Sequence, residues 1–445
     1  MRFIPHTADD IRAMLDTVGV ASVDDLLADV PADLRARAGI DLAPGRSEAA
    51  VCAAVNALAA HNLAAPERCF LGAGAYPHFV PAVVDQVLQR AEFYSAYTPY
   101  QPEVSQGTLQ AVFEFQSLVA MLLGMEVANA SMYDGASATA EAVLMALRLA
   151  AGRPRVVLAR ALHPQYRDVV TTYAAGALGI DLVEAPFGAD GRTDLERLAG
   201  LVDERTAAVV VGYPNVFGVV EELAAVADLA HGRGALLVTA TAEPLALGVL
   251  KPPGAFGADI AVAEGQSLGI PVSYGGPGVG LFATRNAFVR AMPGRLVGEA
   301  QDGAGRRGYV LTLATREQHI RREKATSNIC TNHGLMALAV TLFLCAVGQR
   351  GLHDLASANL ANAHRAAARL DATGRWRRRF AGPFFNEFVV HGAPAEAAWE
   401  AAQQRGVIAG WPLGRWYPEL SDSLLVCVTE VHDEAAVGRL VEALG

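Results

Sequence analysis

At 445 residues, 52% apolar and 18% charged, the chain is long enough to bury one large core and a smaller one, and too apolar to be disordered. Its 46 acidic residues outnumber 36 basic ones, for a net charge of −10, which argues against a nucleic-acid surface; positive charge clusters only at Arg306-Arg307 and at Arg321-Arg322 with Lys324. The apolar runs stop short of the roughly 20 residues of a membrane span, and MRFIPHTADDIR has no apolar signal core, so a cytoplasmic, membrane-free protein is expected.

The first sixty residues predict short amphipathic helices. Thr7 is an N-cap with Asp10 three residues on and Gly19 is a stop; Ser22 opens SVDDLLADV and Ser47 opens SEAAVCAAVNALAAHN. Such helices cannot bury their stripes alone, so an arm is expected that wraps a partner or the main body. From about residue 125, strands and helices alternate. MEVANASM, PRVVLAR, IDLVEAP, AAVVVGYP, ALLVTA, ADIAVAE and VGLFAT read as strands, several of them continuous apolar runs that suit a sheet covered on both faces. TDLERLAGLV, with Thr193 and Glu196 at capping-box spacing, and EELAAVADLAHGRG read as intervening helices. After Thr326 a long apolar helix, GLMALAVTLFLCAVGQ, leads into FNEFVVHG, EAAWEAAQQRG, SLLVCVTEV and DEAAVGRLVEAL, a small α+β pattern.

The expected organisation is an N-terminal helical arm over 1–68, a large α/β domain with a mostly parallel sheet over 69–333, and a connecting helix with a small α+β domain over 334–445. Five cysteines, at 52, 69, 330, 345 and 427, are odd in number and lack C-x-x-C spacing, and read as buried packing thiols. The histidines show no metal-ligand spacing, so no metal is assigned. Only two lysines occur, Lys251 and Lys324, and arginine cannot form an imine because its guanidinium stays protonated.

FLGAGAYPHFVPAVV, AYTPYQPEVSQGTLQAVFEFQ, ASMYDGASATAEA, SYGGPG and KATSNICTNHG, in that order, resemble the glycine cleavage system P-protein family, and within it the first of the two subunits into which many bacteria divide that protein. The resemblance implies a fold-type I pyridoxal-phosphate transferase architecture. It implies pairing with a homologous second subunit that carries the coenzyme lysine, as a heterotetramer of two heterodimers. The implied activity is decarboxylation of glycine, with the remaining aminomethyl group passed to the lipoyl arm of the H-protein.

In coenzyme-holding members the lysine precedes an aromatic-x-x-Pro and a Gly-Gly turn; laid on AEGQSLGIPVSYGGPG, that slot falls on Gln266, whose amide is no nucleophile. A chain without the amine is expected to serve its partner's pocket, since an isologous pair has two equivalent pockets each lined by both chains. Thr326, Ser327 and Asn328 are the first candidates for reaching the partner's phosphate, as small donors ahead of a helix N-terminus, with helix capping by Asn328 or Thr331 as the plain alternative. The amides of Gly275 and Gly276 are a weaker candidate, since Gly-Gly-Pro also makes an ordinary turn. Tyr97, Tyr100, Gln101, Glu103 and Gln106, in a proline-stiffened run that is neither regular helix nor central strand, are expected to line the glycine and lipoyl route. Asp134, Gly135 and Ser137 resemble the phosphate cup of the chain's own pocket, Glu243 its ring-nitrogen acid and His163 its stacking imidazole; for these, capping and core packing compete with a ligand role. Two rival functions are a purely structural or docking subunit, and an independent pyridoxal-phosphate lyase using Lys324.

Overall fold

A computed structural model describes residues 5–39, 41–63, 65–175, 179–329 and 331–445, in two compact units, Met1–Asn62 and Leu63–Gly445. In the first unit, helix α1 (Ala8–Val18) has the expected Thr7/Asp10 capping box and ends on Gly19 in the left-handed region. Val23–Leu27 closes as a single 3₁₀ turn behind Ser22, and α2 (Ala32–Arg37) and α3 (Glu48–Ala59) follow, with Ser47 capping the last. None of these helices buries a residue within its own unit; Met14, Val18, Leu26, Leu42 and Leu58 stand exposed.

The second unit starts with α4 (Ala82–Leu88), α5 (Ala91–Tyr94) and α6 (Gln106–Leu123). Then come β1 (Val127–Ala128), α7 (Gly135–Leu149), β2 (Arg155–Ala159), α8 (Pro164–Ala175), β3 (Asp181–Ala185), α9 (Leu195–Leu201), β4 (Thr206–Gly212), α10 (Leu223–Gly232), β5 (Leu236–Thr241), β6 (Ile260–Glu264) and β7 (Gly280–Thr284). The seven strands form one sheet in the order β1-β7-β6-β5-β4-β2-β3, parallel from β3 through β6, with β7 antiparallel to both its neighbours. Strand alternation explains the unbroken apolar runs. Val156, Leu158, Val210 and Val238 face α7 and α8 on one side, while Val157, Val209, Val211 and Leu237 pack against α9 and α10 on the other. MEVANASM supplies only the two-residue edge strand β1. The cap of α9 is Asp194, not Thr193, whose amide and hydroxyl instead bind the buried Glu221.

A two-stranded ribbon, β8 (Leu296–Gln301) with β9 (Arg307–Thr312), and α11 (Gln318–Arg321) precede the long helix α12 (Gly334–Ala372). This helix is long and apolar enough to cross a bilayer. It is broken at Gly348 (φ 59°, ψ −177°), and Ala337, Val340, Phe343 and Leu344 are spent on the core against α6 and the sheet. Beyond it, β10 (Arg377–Arg378), β11 (Glu387–His391), α13 (Ala395–Gln404), β12 (Trp411–Pro412), β13 (Ser423–Cys427) and α14 (Glu434–Leu444) make an antiparallel four-stranded sheet, β10-β11-β13-β12, whose core includes Trp376, Phe388, Leu424 and Leu440. Cys427 is buried as expected, but Cys52 and Cys345 are exposed and Cys69 is half-buried, because α3 and the middle of α12 present those faces outward; Cys330 lies outside the described residues.

Candidate functional site

Parallel strands send their carboxyl ends to one side of a sheet, where clefts form. Here the ends of β2, β4 and β5, leading to His163, Asn215 and Glu243, line a cleft with Ala73, Tyr76 and the start of β11 from the small sheet, and Gln266, past the end of β6, reaches Tyr76 from beside it. The cleft is almost closed, with about 20 Å³ inside it, room for a single water by the usual threshold of ~10–15 Å³.

What closes it is specific. Gln266, just beyond β6, accepts from the Tyr76 amide at 2.8 Å and donates to the Tyr76 carbonyl at 3.0 Å and the Ile270 carbonyl at 2.7 Å, so its side-chain amide is used up on backbone. Glu387 accepts from Ala73 N–H at 2.7 Å and the Tyr76 hydroxyl at 2.9 Å. Burial pushes the Glu387 carboxyl up to about 8, against those two bonds, and nearby Glu243 pushes it the same way. His78 bridges two carboxylates, with Nε2 to Glu243 and Nδ1 to Glu430, both at 2.8 Å. Burial lowers the pKa of His78, but Glu243 and Glu430 more than reverse this and carry it to about 10, so it stands as an imidazolium. Glu243 is thereby paired inside the protein. His163, neutral because burial lowers its pKa, takes the Ala73 carbonyl at 2.9 Å and stands edge-on to Trp416.

Beside the cleft, Asp134 caps α7 through a reciprocal box with Ser137. The N-terminus of that helix already has an acceptor. Glu264, at the end of β6, accepts from Gly135 N–H at 2.8 Å through Oε2, and from Gln266 and Val279 N–H at 3.1 and 3.0 Å through Oε1. Burial pushes its carboxyl up to about 7, against these three amides.

A second cluster gathers the other sequence candidates. Arg295, 5% exposed, donates to Thr98 Oγ1 at 3.1 Å and to the Tyr100 hydroxyl at 3.0 Å, and pairs with Glu317 at 3.3 Å. It also lines a small recess with Thr326 and Ser327 of the KATSN segment. Ser327 donates to Glu141 at 2.6 Å, Thr326 N–H to the Arg316 carbonyl at 3.0 Å, and Asn328 is exposed. These residues do not stand at the start of α12, contrary to expectation. The helix begins at Gly334 with His333 as cap residue, because Asn332 and His333 are bound back to Ala130 and Ser131, so neither Asn328 nor Thr331 caps it. Tyr97, Gln101 and Glu103 are exposed. Gln106, placed by its sequence in the irregular run, is the first residue of α6, and its amide is clamped in both directions to the Tyr309 backbone at 2.9 Å. Gly275 and Gly276 sit at an exposed turn beside fully exposed Tyr274. A cavity of about 130 Å³ lies under the loop, between Tyr97, α6 and the start of α12.

The family profile of the glycine cleavage system P-protein matches residues 1–444. The chain belongs to this family. Relatives named "Probable glycine dehydrogenase (decarboxylating) subunit 1" are 55% identical over 435 residues in Anaeromyxobacter dehalogenans strain 2CP-C, covering 97% of each chain, and 50% identical over 446 residues in Geobacillus kaustophilus, covering 100% of this chain and 98% of the other. A crystal structure of glycine decarboxylase (P-protein) of the glycine cleavage system, in inhibitor-bound form, superposes with a TM-score of 0.91 at 46% identity over 100% of this chain and 99% of that one. A Burkholderia pseudomallei sphingosine-1-phosphate lyase, at 18% identity and a TM-score of 0.68 over 92% of each chain, shares the fold alone. The large domain is thus a fold-type I pyridoxal-phosphate transferase fold, and the P-protein relatives resembling this chain are first subunits.

The chain's own cleft does not fit pyridoxal phosphate. Neither Lys251 nor Lys324 lines it, both being exposed; Gln266 is consumed by Tyr76, and the space left is water-sized. Sequence reasoning missed Arg295, Tyr76, Glu264 and Glu387. Two of these had a signal, since Glu264 and Glu387 are acids inside otherwise apolar strand patterns, ADIAVAE and FNEFVV. Arg295, one of many arginines, had none.

Proposed function

We propose that this chain is the lysine-less half of a glycine decarboxylase and completes the active site of a homologous second subunit. The observation that carries this reading is the state of Gln266: at the slot where a coenzyme lysine belongs, the side chain is bound on both sides to the backbone of Tyr76 and offers no amine. Pyridoxal phosphate, held covalently by a lysine of the second subunit, would supply the electron sink for decarboxylation of glycine, and the lipoyl arm of the H-protein would accept the aminomethyl group. The assembly is a pair of such heterodimers, in the cytoplasm, with the arm over 1–68 clasping the partner, and with 69–333 and 334–445 as large and small domains.

This chain's share is positioning and shielding. Thr326 and Asn328 offer hydroxyl and amide donors to the partner's phosphate; Ser327, whose hydroxyl donates to Glu141, joins them by exchanging that bond, and the Gly275 and Gly276 amides are secondary donors. Tyr97, Tyr100, Gln101 and Glu103, with Gln106 anchoring the base of the loop, wall the route by which glycine and the lipoyl arm reach the reacting centre. Holding reactants in place and excluding water supplies rate without any bond to this chain. Support comes from Arg295, which holds the loop through Thr98 and Tyr100 and lines one recess with Thr326 and Ser327.

Co-expression with the second subunit tests the reading: glycine-dependent exchange of CO2 is expected only with both chains. Thr326→Ala with Ser327→Ala should weaken coenzyme retention by the assembled pair. If assembly, coenzyme content and exchange are all unchanged, the chain is a structural subunit only. If the chain alone acquires visible absorbance with the coenzyme and borohydride fixes it to Lys324, the chain is an independent enzyme.

A further inference from the structure

The cleft of this chain has lost more than an amine. Where a phosphate-binding fold would present the first amides of a helix to a ligand, α7 presents the amide of Gly135 to Glu264, and two more amides, from Gln266 and Val279, converge on the same carboxylate. These donors come from three separate stretches of chain, and every one of them is spent on one internal anion. No cationic side chain forms an ion pair with Glu264 among the described residues, and the nearby Asp134 repels it. A buried carboxylate with no counter-ion is costly unless amides and a helix N-terminus compensate it. The surroundings are closed against it as well: a Cβ at Gly278 would come within 3.0 Å of Glu264 Oε1, and one at Gly135 within 3.0 Å of Glu264 Cβ. A few atoms away, Gln266 fills the amine position and Tyr76 stands in the cleft.

We propose that this cleft is plugged from within: the Glu264 carboxylate occupies an anion seat built from the amides of Gly135, Gln266 and Val279, and the seat accepts a phosphate group only when that carboxylate is removed. The inference concerns this chain's own cleft and does not depend on which reaction the partner's pocket performs. It makes loss of coenzyme binding a double event, a filled anion seat as well as an absent lysine. Restoring the lysine alone would therefore leave the cleft shut.

The test uses the full chain with inorganic phosphate and pyridoxal phosphate as probes, followed by thermal unfolding and equilibrium dialysis against chloride of equal ionic strength. The wild-type chain is expected to show no saturable binding of either probe. Glu264→Ala, confirmed as folded by circular dichroism, is expected to be less stable than wild type in chloride and to regain stability with phosphate in a saturable way. Glu264→Gln, which keeps the side chain's volume in the seat, is expected to stay indifferent to phosphate. Saturable binding of either probe by the wild-type chain, with hydrogen-exchange protection at 264–280, overturns the proposal even if the alanine variant does not fold. So does a folded Glu264→Ala chain without a phosphate response, or a phosphate response in Glu264→Gln.

Discussion

The guanidinium of Arg295 donates to the hydroxyl of Tyr100 at 3.0 Å and lies over its ring, 5.4 Å from the centroid. One residue thus makes both a charge-assisted bond and a cation–π contact to a loop that has no regular structure of its own. Hydrogen bonds to a charged group are worth about 1.5–3 kcal/mol, and about 1.4 kcal/mol is tenfold in rate. Arg295→Met should therefore lower kcat/KM of the assembled enzyme roughly 10- to 100-fold. Hydrogen exchange should quicken over 97–103 without loss of pairing. Unchanged exchange there would show that the loop is held by something else.

Gln266→Leu should destabilise the chain by about 3 kcal/mol or more, because it strands the buried amide and carbonyl of Tyr76, and an unsatisfied buried polar group costs about 1–3 kcal/mol. Denaturant unfolding measures this. Gln266→Lys should be destabilised as well, and should bind no pyridoxal phosphate while Glu264 remains, as read by visible absorbance after dialysis.

The buried acids give the chain an unusual acid preference. Glu387 is raised from 4.5 to about 8 and Glu264 from 4.5 to about 7, so between pH 4.5 and those values the folded chain holds protons that the unfolded chain has released. His78, raised from 6.5 to about 10, does the same between those values. More protons bound in the folded state means that stability falls as pH rises, at up to about 1.4 kcal/mol per pH unit for each mismatched group. Tyr76, Cys427 and Glu243 face Glu387; burial and Glu243 favour its neutral form, while the Tyr76 hydroxyl and the Ala73 amide donate to it and favour the anion. Unfolding free energy should decline from about pH 5 to pH 8, and Glu387→Gln should flatten that decline. A wild-type curve that rises over this window contradicts the assignment.

Gly218→Ala should be among the most damaging single-atom changes in the chain. Gly218 has φ +75°, and a Cβ there would stand 1.9 Å from the Glu387 carbonyl oxygen, a backbone atom that cannot swing away. The left-handed strain and the overpacking together should cost about 3 kcal/mol or more. The same substitution at Gly152, which also has positive φ but open space, should cost only the strain, about 1 kcal/mol. Thermal unfolding of the two variants gives the comparison.

The layers of the fold were legible in the sequence because strand alternation and apolar runs are local signals. Val156, Val157, Leu158 and Ala159 announce a strand buried on both faces before any tertiary partner is known. Caps were legible where the sequence offers one acceptor, as at Thr7, and misread where adjacent residues compete, as at Thr193 and Asp194. The closing of the cleft was not legible, since Tyr76, Glu243, Gln266 and Glu387 are brought together only by the fold, across separations of up to 311 residues. A missing lysine can be read from one stretch of chain; what stands in its stead requires the other stretches.

The ties from residues 72–79 run at once to the large sheet, through Gln266 and Glu243, and to the small one, through Glu387 and Glu430. Where enzymes close on a substrate, two lobes must swing about a pliable joint. Here the joint is welded by side chains, so the large and small sheets of this polypeptide are held together as a single stiff jaw.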